Sequence, residues 1–319
     1  MLQDASLEQR LVRVAALRTA AIDTLCFDLA AADRRPLAPF TAGAHIDVHA
    51  PNGDVRQYSL CGDPRDTSHY RIAVKREIAG RGGSRSMHDD VEEGSALAIL
   101  GPRNHFPLAA DGTHALFIAG GIGITPIYAM IQAVHARGAS WELHYCARSQ
   151  AHAAFHQELV ALGGTRVTPW FSEEPLLDAR GLLRVVRGGT HVYCCGPAGL
   201  MTAVKDASAH WPAGSVHFEY FSAPARAHAP NRSFEVELRQ SGLVLTVPPE
   251  RTILQTAREH GIDVSSSCEE GVCGTCETRV LEGECEHRDL LLSDDERAAN
   301  RSMMICVSRA KSPRLVLDL

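Results

Sequence analysis

The sequence predicts a multidomain α+β protein: an antiparallel β-barrel or sandwich, then an α/β domain on a parallel sheet, then a small cysteine-rich domain. Three observations carry this prediction. Residues 1–108 hold short apolar runs broken by Pro, Gly and Asp, the pattern of many short strands joined by turns. From residue 109 to 222, strand-like runs alternate with helical stretches, as a parallel sheet requires. After a linker at 223–233 with two prolines and no apolar periodicity, residues 234–319 start as a hairpin and a helix and run into a cysteine-dense loop. The chain has 319 residues, enough for two or three domains.

In the first region the strands are carried by Ala44–His49, Gln57–Leu60 and Tyr70–Lys75. In the second, His114–Ala119 reads as a buried strand, Pro126 to about Arg137 as a helix, and Trp141–Ala147 as a strand. Phe155–Leu162 reads as a helix and His191–Cys195 as a third strand. In the last region, Phe234–Leu238 and Leu243–Val247 form the hairpin, and Thr252–His260 is a helix stopped by Gly261.

The net charge of −6 is unevenly placed. From Phe234 onward there are 16 acidic and 10 basic residues, and the rest of the chain has 22 of each. No basic face for nucleic acid is expected. An acidic surface suits either solubility or steering towards a basic partner. No run of eighteen apolar residues is present, so no membrane span is expected. The opening residues lack the apolar stretch of a signal peptide, so a cytoplasmic location is expected, as is a monomer. The ten cysteines include a cluster with ligand spacing, which points to metal or redox chemistry rather than a disulfide framework.

Cys268, Cys273, Cys276 and Cys306 have the spacing Cys-x4-Cys-x2-Cys…Cys, the plant-type ligand set of a 2Fe-2S cluster. Gly271 and Gly274 suit the tight loop this demands, and Ser265, Ser266 and Ser267 can offer hydroxyl donors. Cys306 is expected on a buried strand. The alternative is a four-thiolate zinc site, although zinc sites usually pair two Cys-x2-Cys knuckles and only one is present. Cys285 is a rival fourth ligand. Its acidic neighbours suggest a surface thiol instead.

Gly120 and the loop Gly121-Ile-Gly123-Ile-Thr125-Pro126 follow a strand and open a helix, where a glycine turn can cradle a pyrophosphate. Pro126 takes the place of the third fingerprint glycine and suits a first helical turn. A tight strand-to-helix turn without a ligand is the plain alternative. Cys195-Gly196-Pro197 makes a second such loop. Arg148, followed by Ser149, stands where a ribose-binding acid would be. It can accept a 2′-phosphate, which would mean NADPH, stack on adenine, or bind the pyrophosphate. In the first region Arg56, Tyr58 and Ser59 place a cation, a ring and a hydroxyl on one strand. Val74 and Lys75 follow, and the turn Gly82-Gly83-Ser84 can present N–H groups and a hydroxyl to a phosphate.

Together these motifs resemble the phthalate dioxygenase reductase family, which includes vanillate demethylase reductases. The resemblance runs in order along the whole chain: Arg-x-Tyr-Ser-Leu, Gly-Arg-Gly-Gly-Ser, Gly-Gly-Ile-Gly-Ile-Thr-Pro, Tyr-Cys-Cys-Gly-Pro, His-Phe-Glu-Tyr-Phe and the cysteine loop. It implies an FMN-binding β-barrel over 1–108, an NAD-binding domain over 109–222, and a β-grasp 2Fe-2S ferredoxin domain over 234–319. It also implies that Arg56, Lys75 and the Gly82–Ser84 turn hold FMN, with Tyr58 packed on the ring and Ser59 near its N5. Phe221 would flank the flavin, and Thr125 and Cys195 would lie by the nicotinamide. Cys194 is expected to point the other way. The implied activity takes a hydride from NADH to FMN and sends single electrons through the cluster to a Rieske-type oxygenase or O-demethylase acting on an aromatic acid. A haem monooxygenase is the alternative acceptor. None of the 16 histidines is assigned a role.

Overall fold

The structure is a computed structural model, and it describes residues 9–172, 176–223 and 230–319. Most of the sequence-predicted linker, residues 224–229, lies outside the described residues. The chain divides into two compact units, one ending at Glu219 and one spanning Tyr220–Leu319.

The first unit begins with β1 (Arg10–Ala21), β2 (Thr24–Ala31), β3 (His45–His49), β4 (Val55–Ser59), β5 (His69–Lys75), the short helix α1 (Gly83–Asp89) and β6 (Ala96–Arg103). These strands make one six-stranded sheet in the order β4-β3-β6-β1-β2-β5, with every pairing antiparallel. A bridge between Leu60 and Ile72 joins the two edges and closes the barrel. Alternation drives the closure. On β1, Val12 and Val14 are buried while Leu11 and Arg13 face solvent. The barrel core is filled by Phe27, Leu29, Ile46, Val48, Leu60 and Ile72.

The chain then runs through β7 (His114–Gly120), α2 (Ile124–Ala136), β8 (Ser140–Ala147), α3 (His156–Gly163), β9 (Val167–Phe171), α4 (Ala179–Leu183), β10 (Thr190–Cys195), α5 (Ala198–Ala207) and β11 (Val216–Glu219). The sheet order is β11-β10-β7-β8-β9, all parallel. Strand order reverses between β7 and β10, the switch point where such sheets leave a crevice at their carboxyl ends. Helix α2 starts at Ile124, two residues earlier than the sequence suggests, with Pro126 in its first turn. It buries Ile124, Ile127, Ile131 and Val134 at helical spacing. The core here also takes in Cys26, Ala42, Cys61 and Ala73 from the barrel, so the two sheets share apolar packing.

The second unit holds β12 (Phe234–Leu238), β13 (Leu243–Val247), α6 (Ile253–Glu259), β14 (Glu277–Glu282), β15 (Cys285–Glu286), α7 (Asp294–Ala299), β16 (Ser302–Met304), β17 (Arg309–Ala310) and β18 (Arg314–Leu317). Its five-stranded sheet, β13-β12-β18-β14-β16, pairs β12 and β18 in parallel and grips α6, the β-grasp arrangement. Thr252 and Gln255 form a reciprocal capping box at the start of α6. Buried Ile253, Leu254 and Ala257 anchor that helix in the core.

Cys285 departs from the sequence expectation. Pairing of β15 with β17 turns its side chain inward, leaving it 2 % exposed with its Sγ 3.5 Å from Met303 Sδ. Burial pushes its thiol up to about 12. Its acidic neighbour Glu284 takes the outward position, as strand alternation dictates. Cys306 also differs from expectation: it is buried, but in the turn after β16 rather than on a strand.

Candidate redox sites

In the barrel, the predicted phosphate-binding residues converge. A Cβ added to Gly83 would lie 2.8 Å from Arg56 Cγ and 2.9 Å from its Nε, so the α1 turn rests directly on Arg56. Gly82, with φ +111°, makes the left-handed bend before α1. The Arg56 guanidinium donates to Asp54 Oδ2 at 2.8 Å. Lys75 pairs with Glu77, whose backbone N–H donates to Ser84 Oγ at 3.0 Å. Val74 is buried, and its carbonyl meets His88 Nε2 at 2.8 Å. Ser59 is buried at the end of β4. The Tyr58 hydroxyl is sealed from solvent and, among the described residues, has no hydrogen-bond partner, and burial raises it well above the ordinary phenol range. A buried hydroxyl left unpaired is costly, so this one suits a polar group supplied by a ligand. Asn52 and Asp54, which tie this turn together, were not singled out from sequence.

The two glycine loops of the parallel sheet are packed back to back. A Cβ on Gly123 would sit 2.4 Å from the Cys195 carbonyl oxygen and 2.8 Å from the Gly196 nitrogen. One on Gly120 would sit 2.5 Å from Pro197 Cδ. These glycines are therefore required by loop-against-loop contact. Gly121 differs: its φ is +53° and, its chain neighbours aside, no atom of the described residues lies within 4 Å of its Cβ position. It opens onto a cleft of about 620 Å³, also lined by Lys75, Arg148, Trp170, Ser172 and Pro197. Thr125 is 2 % exposed, and its Oγ1 donates back to the Ile122 carbonyl at 3.0 Å. Cys195 is buried, with burial holding its thiol far above the ordinary range. Cys194 points the other way, as expected, with its Sγ 3.6 Å from Met201 Sδ on α5. Phe221 belongs to the second unit and is 47 % exposed.

The sequence reading passed over Glu219. It ends β11, paired in register with Cys195, and its Oε2 is sealed from solvent without a partner among the described residues. Burial raises its carboxyl to about 8, so it is a neutral acid at neutral pH. A folded-state pKa above the unfolded one gives stability that is complete below the ordinary carboxylate pKa. That stability is lost as pH climbs through about 8. Glu219→Gln should remove this loss. Its melting temperature relative to wild type is expected to rise steadily from roughly pH 5 to roughly pH 9 in thermal melts. A difference independent of pH would contradict the buried neutral acid.

In the second unit the four predicted cysteines are brought together. Hydrogen bonds join Cys268 to Cys273, Cys276 to Cys306, and Cys268 to Cys306. These bonds lower the Cys268 thiol and raise that of Cys306, chiefly through Cys273 for the first and Cys268 for the second. Among the described residues no three His, Cys, Asp or Glu side chains are arranged to hold one metal ion. Cys268 meets two of the other thiols, and all four sulfurs gather in one place, the number of thiolates a 2Fe-2S cluster takes. The Glu270 backbone N–H donates to Cys268 Sγ at 3.3 Å. Ser267 Oγ is buried and, among the described residues, has no hydrogen-bond partner. The donor set therefore fits a 2Fe-2S cluster.

A closed barrel, a parallel nucleotide sheet and a β-grasp unit with paired thiols define a flavin- and nucleotide-linked iron–sulfur redox protein. Comparison with known proteins agrees. Residues 117–206 match the oxidoreductase NAD-binding domain, and residues 236–311 match the 2Fe-2S iron-sulfur cluster binding domain. Vanillate O-demethylase oxidoreductase of Pseudomonas sp. (strain HR199 / DSM 7063) is 45 % identical over 314 residues, 97 % of this chain and 99 % of that protein. The solved structure of phthalate dioxygenase reductase, described as modular for electron transfer from pyridine nucleotides to [2Fe-2S], superposes with a TM-score of 0.73 at 41 % identity. It covers 99 % of both chains. An intact type IV self-sufficient cytochrome P450 monooxygenase superposes with a TM-score of 0.91 at 42 % identity, over 98 % of this chain and 41 % of that one. The chain belongs to the phthalate dioxygenase reductase family. It is an NAD(P)H-dependent oxidoreductase that uses FMN and a 2Fe-2S cluster. Among the described residues no helix is long and apolar enough to cross a membrane.

Proposed function

We propose that this chain is the reductase component of a two-component oxygenase system, taking hydride from NADH and delivering single electrons to a Rieske-type oxygenase or O-demethylase acting on an aromatic acid. The observation that carries the reading is the gathering of Lys75, Gly121 and Arg148 on one cleft, in a chain that also pairs four thiols. When bound, FMN accepts electrons as a pair and releases them singly, and the cluster carries one at a time. The protein supplies position and electrostatics.

In this reading residues 1–108 hold FMN, 109–222 hold the nucleotide, 223–233 link, and 234–319 hold the cluster. Arg56, Lys75 and the Gly82–Ser84 turn would hold the FMN phosphate beside Val74, and Tyr58 would pack on its ring. Ser59 would donate near N5. Gly120, Gly121, Gly123, Pro126, Gly196 and Pro197 would shape the pyridine-nucleotide site, with Thr125 and Cys195 beside the nicotinamide. Cys268, Cys273, Cys276 and Cys306 would be the cluster ligands. A cytoplasmic monomer with no nucleic-acid partner completes the reading.

Two narrower choices have observations behind them. Arg148 lines the cleft with Ser172, a pairing compatible with the 2′-phosphate of NADPH as well as with NADH. The close superposition on a self-sufficient P450 favours a haem monooxygenase as the second candidate acceptor. Reconstitution decides both. The holoenzyme should support product formation by a Rieske oxygenase with NADH. Product only with a haem partner, or only with NADPH, would contradict the respective choice.

A further inference from the structure

The strongest unassigned feature is a three-way clamp beneath the first cysteine of the cluster loop. Arg258 leaves α6 and donates from Nη1 to Glu269 Oε1 at 2.8 Å. Its Nη2 donates to the Val264 carbonyl at 3.0 Å and to Ser266 Oγ at 2.6 Å. Ser266 Oγ in turn donates to Glu269 Oε1 at 2.9 Å. One planar guanidinium therefore fastens a carbonyl, a hydroxyl and a carboxylate around Cys268, a geometry a lysine ammonium does not reproduce.

The clamp falls on a backbone position that needs holding. Glu269 adopts φ +58°, the left-handed region, which is unfavourable for a residue with a Cβ. That bend aims the next N–H, of Glu270, back at Cys268 Sγ. Gly271 and Gly274 also have positive φ but carry no such penalty. Glu269 is the one non-glycine in the loop to make this turn. As an isolated ion pair, Arg258–Glu269 would matter little, since both side chains are about two-fifths exposed. Its anchorage differs from that of a loose surface pair, because it stems from a capped, core-packed helix.

We propose that Arg258 is a positioning residue for the cluster: by holding Glu269 in its left-handed turn it secures the Glu270 N–H bond to Cys268 sulfur, and so sets the cluster's potential and retention. Hydrogen bonds to ligand sulfur are among the levers that tune such centres. The proposal rests on the reading of Cys268 as a ligand.

The test compares full-length holoprotein carrying Arg258→Ala, Glu269→Gly and both together. Glycine enters the left-handed region without help, so it should make Arg258 dispensable. Chelator-induced bleaching of the cluster is expected to be about tenfold faster in Arg258→Ala, the size of a lost left-handed bias. The midpoint potential should move negative and the g-values of the reduced cluster should shift. Glu269→Gly and the double variant should both stay near wild type. Wild-type cluster content at purification and an unchanged circular dichroism spectrum confirm that the variant unit folds. Should Arg258→Ala not fold, Arg258→Lys keeps the charge without the fork and is expected to bleach several-fold faster than wild type. An Arg258 variant with wild-type potential and retention overturns the clamp, as does a double variant no better than Arg258→Ala. A Cys268→Ser protein with an unaltered cluster spectrum would instead remove the ligand assignment beneath it.

Discussion

Cys273→Ser should cut cytochrome c reduction by more than the roughly 100-fold typical of losing even an outer-shell partner of a metal site. NADH-to-ferricyanide turnover should stay within about twofold of wild type, because ferricyanide can draw electrons from the flavin directly. Cys273 is 1 % exposed and hydrogen-bonded to Cys268, so in the proposed assignment its loss removes one of the four cluster ligands. The barrel and the parallel sheet lie in a separate compact unit and should be untouched. Equal loss of both activities would mean that electrons do not leave through the thiols.

Gly123→Ala should have the opposite signature and remove both activities together. Its methyl would sit 2.4 Å from one backbone oxygen and 2.8 Å from a backbone nitrogen, distances no side-chain rotation relieves. The β7 and β10 loops would have to part, displacing Thr125 and Cys195 as well as Gly121. Misplacing reacting groups by about an ångström costs on the order of 100-fold in rate, and overpacking of this kind costs about 1–3 kcal/mol in stability. Stopped-flow reduction by NADH and a thermal melt check both. Normal reduction kinetics would show that the two loops do not jointly shape the nucleotide site. Gly121→Ala is a useful contrast, since nothing crowds its Cβ position and only its φ of +53° is disfavoured.

Much of this arrangement is legible in the sequence because ligand chemistry and backbone sterics act locally. The spacing of Cys268, Cys273 and Cys276 is the one the proposed iron–sulfur ligation calls for, and strand–glycine–helix runs mark Gly121 and Gly196. The hairpin of Phe234–Leu238 with Leu243–Val247 follows from alternation alone, and the two strands pair antiparallel over those residues. What local reading missed depends on contacts distant in the chain. Cys285 sits among acids, yet Ala310 pairs with it and buries it. Glu219 is one of 38 acidic residues, and only its place at the end of β11 beside Cys195 makes it a neutral acid. The lining of the cleft by Trp170 and Ser172 comes from the end of β9, a strand too short to stand out. Arg258 reads as an ordinary helix-surface cation until the loop carrying Glu269 folds back onto it.

The most direct test of the central claim is an anaerobic NADH titration of the purified protein, followed by visible absorbance and low-temperature EPR. Flavin and cluster absorbance should be present in equal amounts in the resting protein. NADH should bleach both, with the signal of a reduced 2Fe-2S centre growing in step. A colourless protein holding stoichiometric zinc, or a flavin fully reduced by NADH beside a cluster that stays oxidised, would contradict the account.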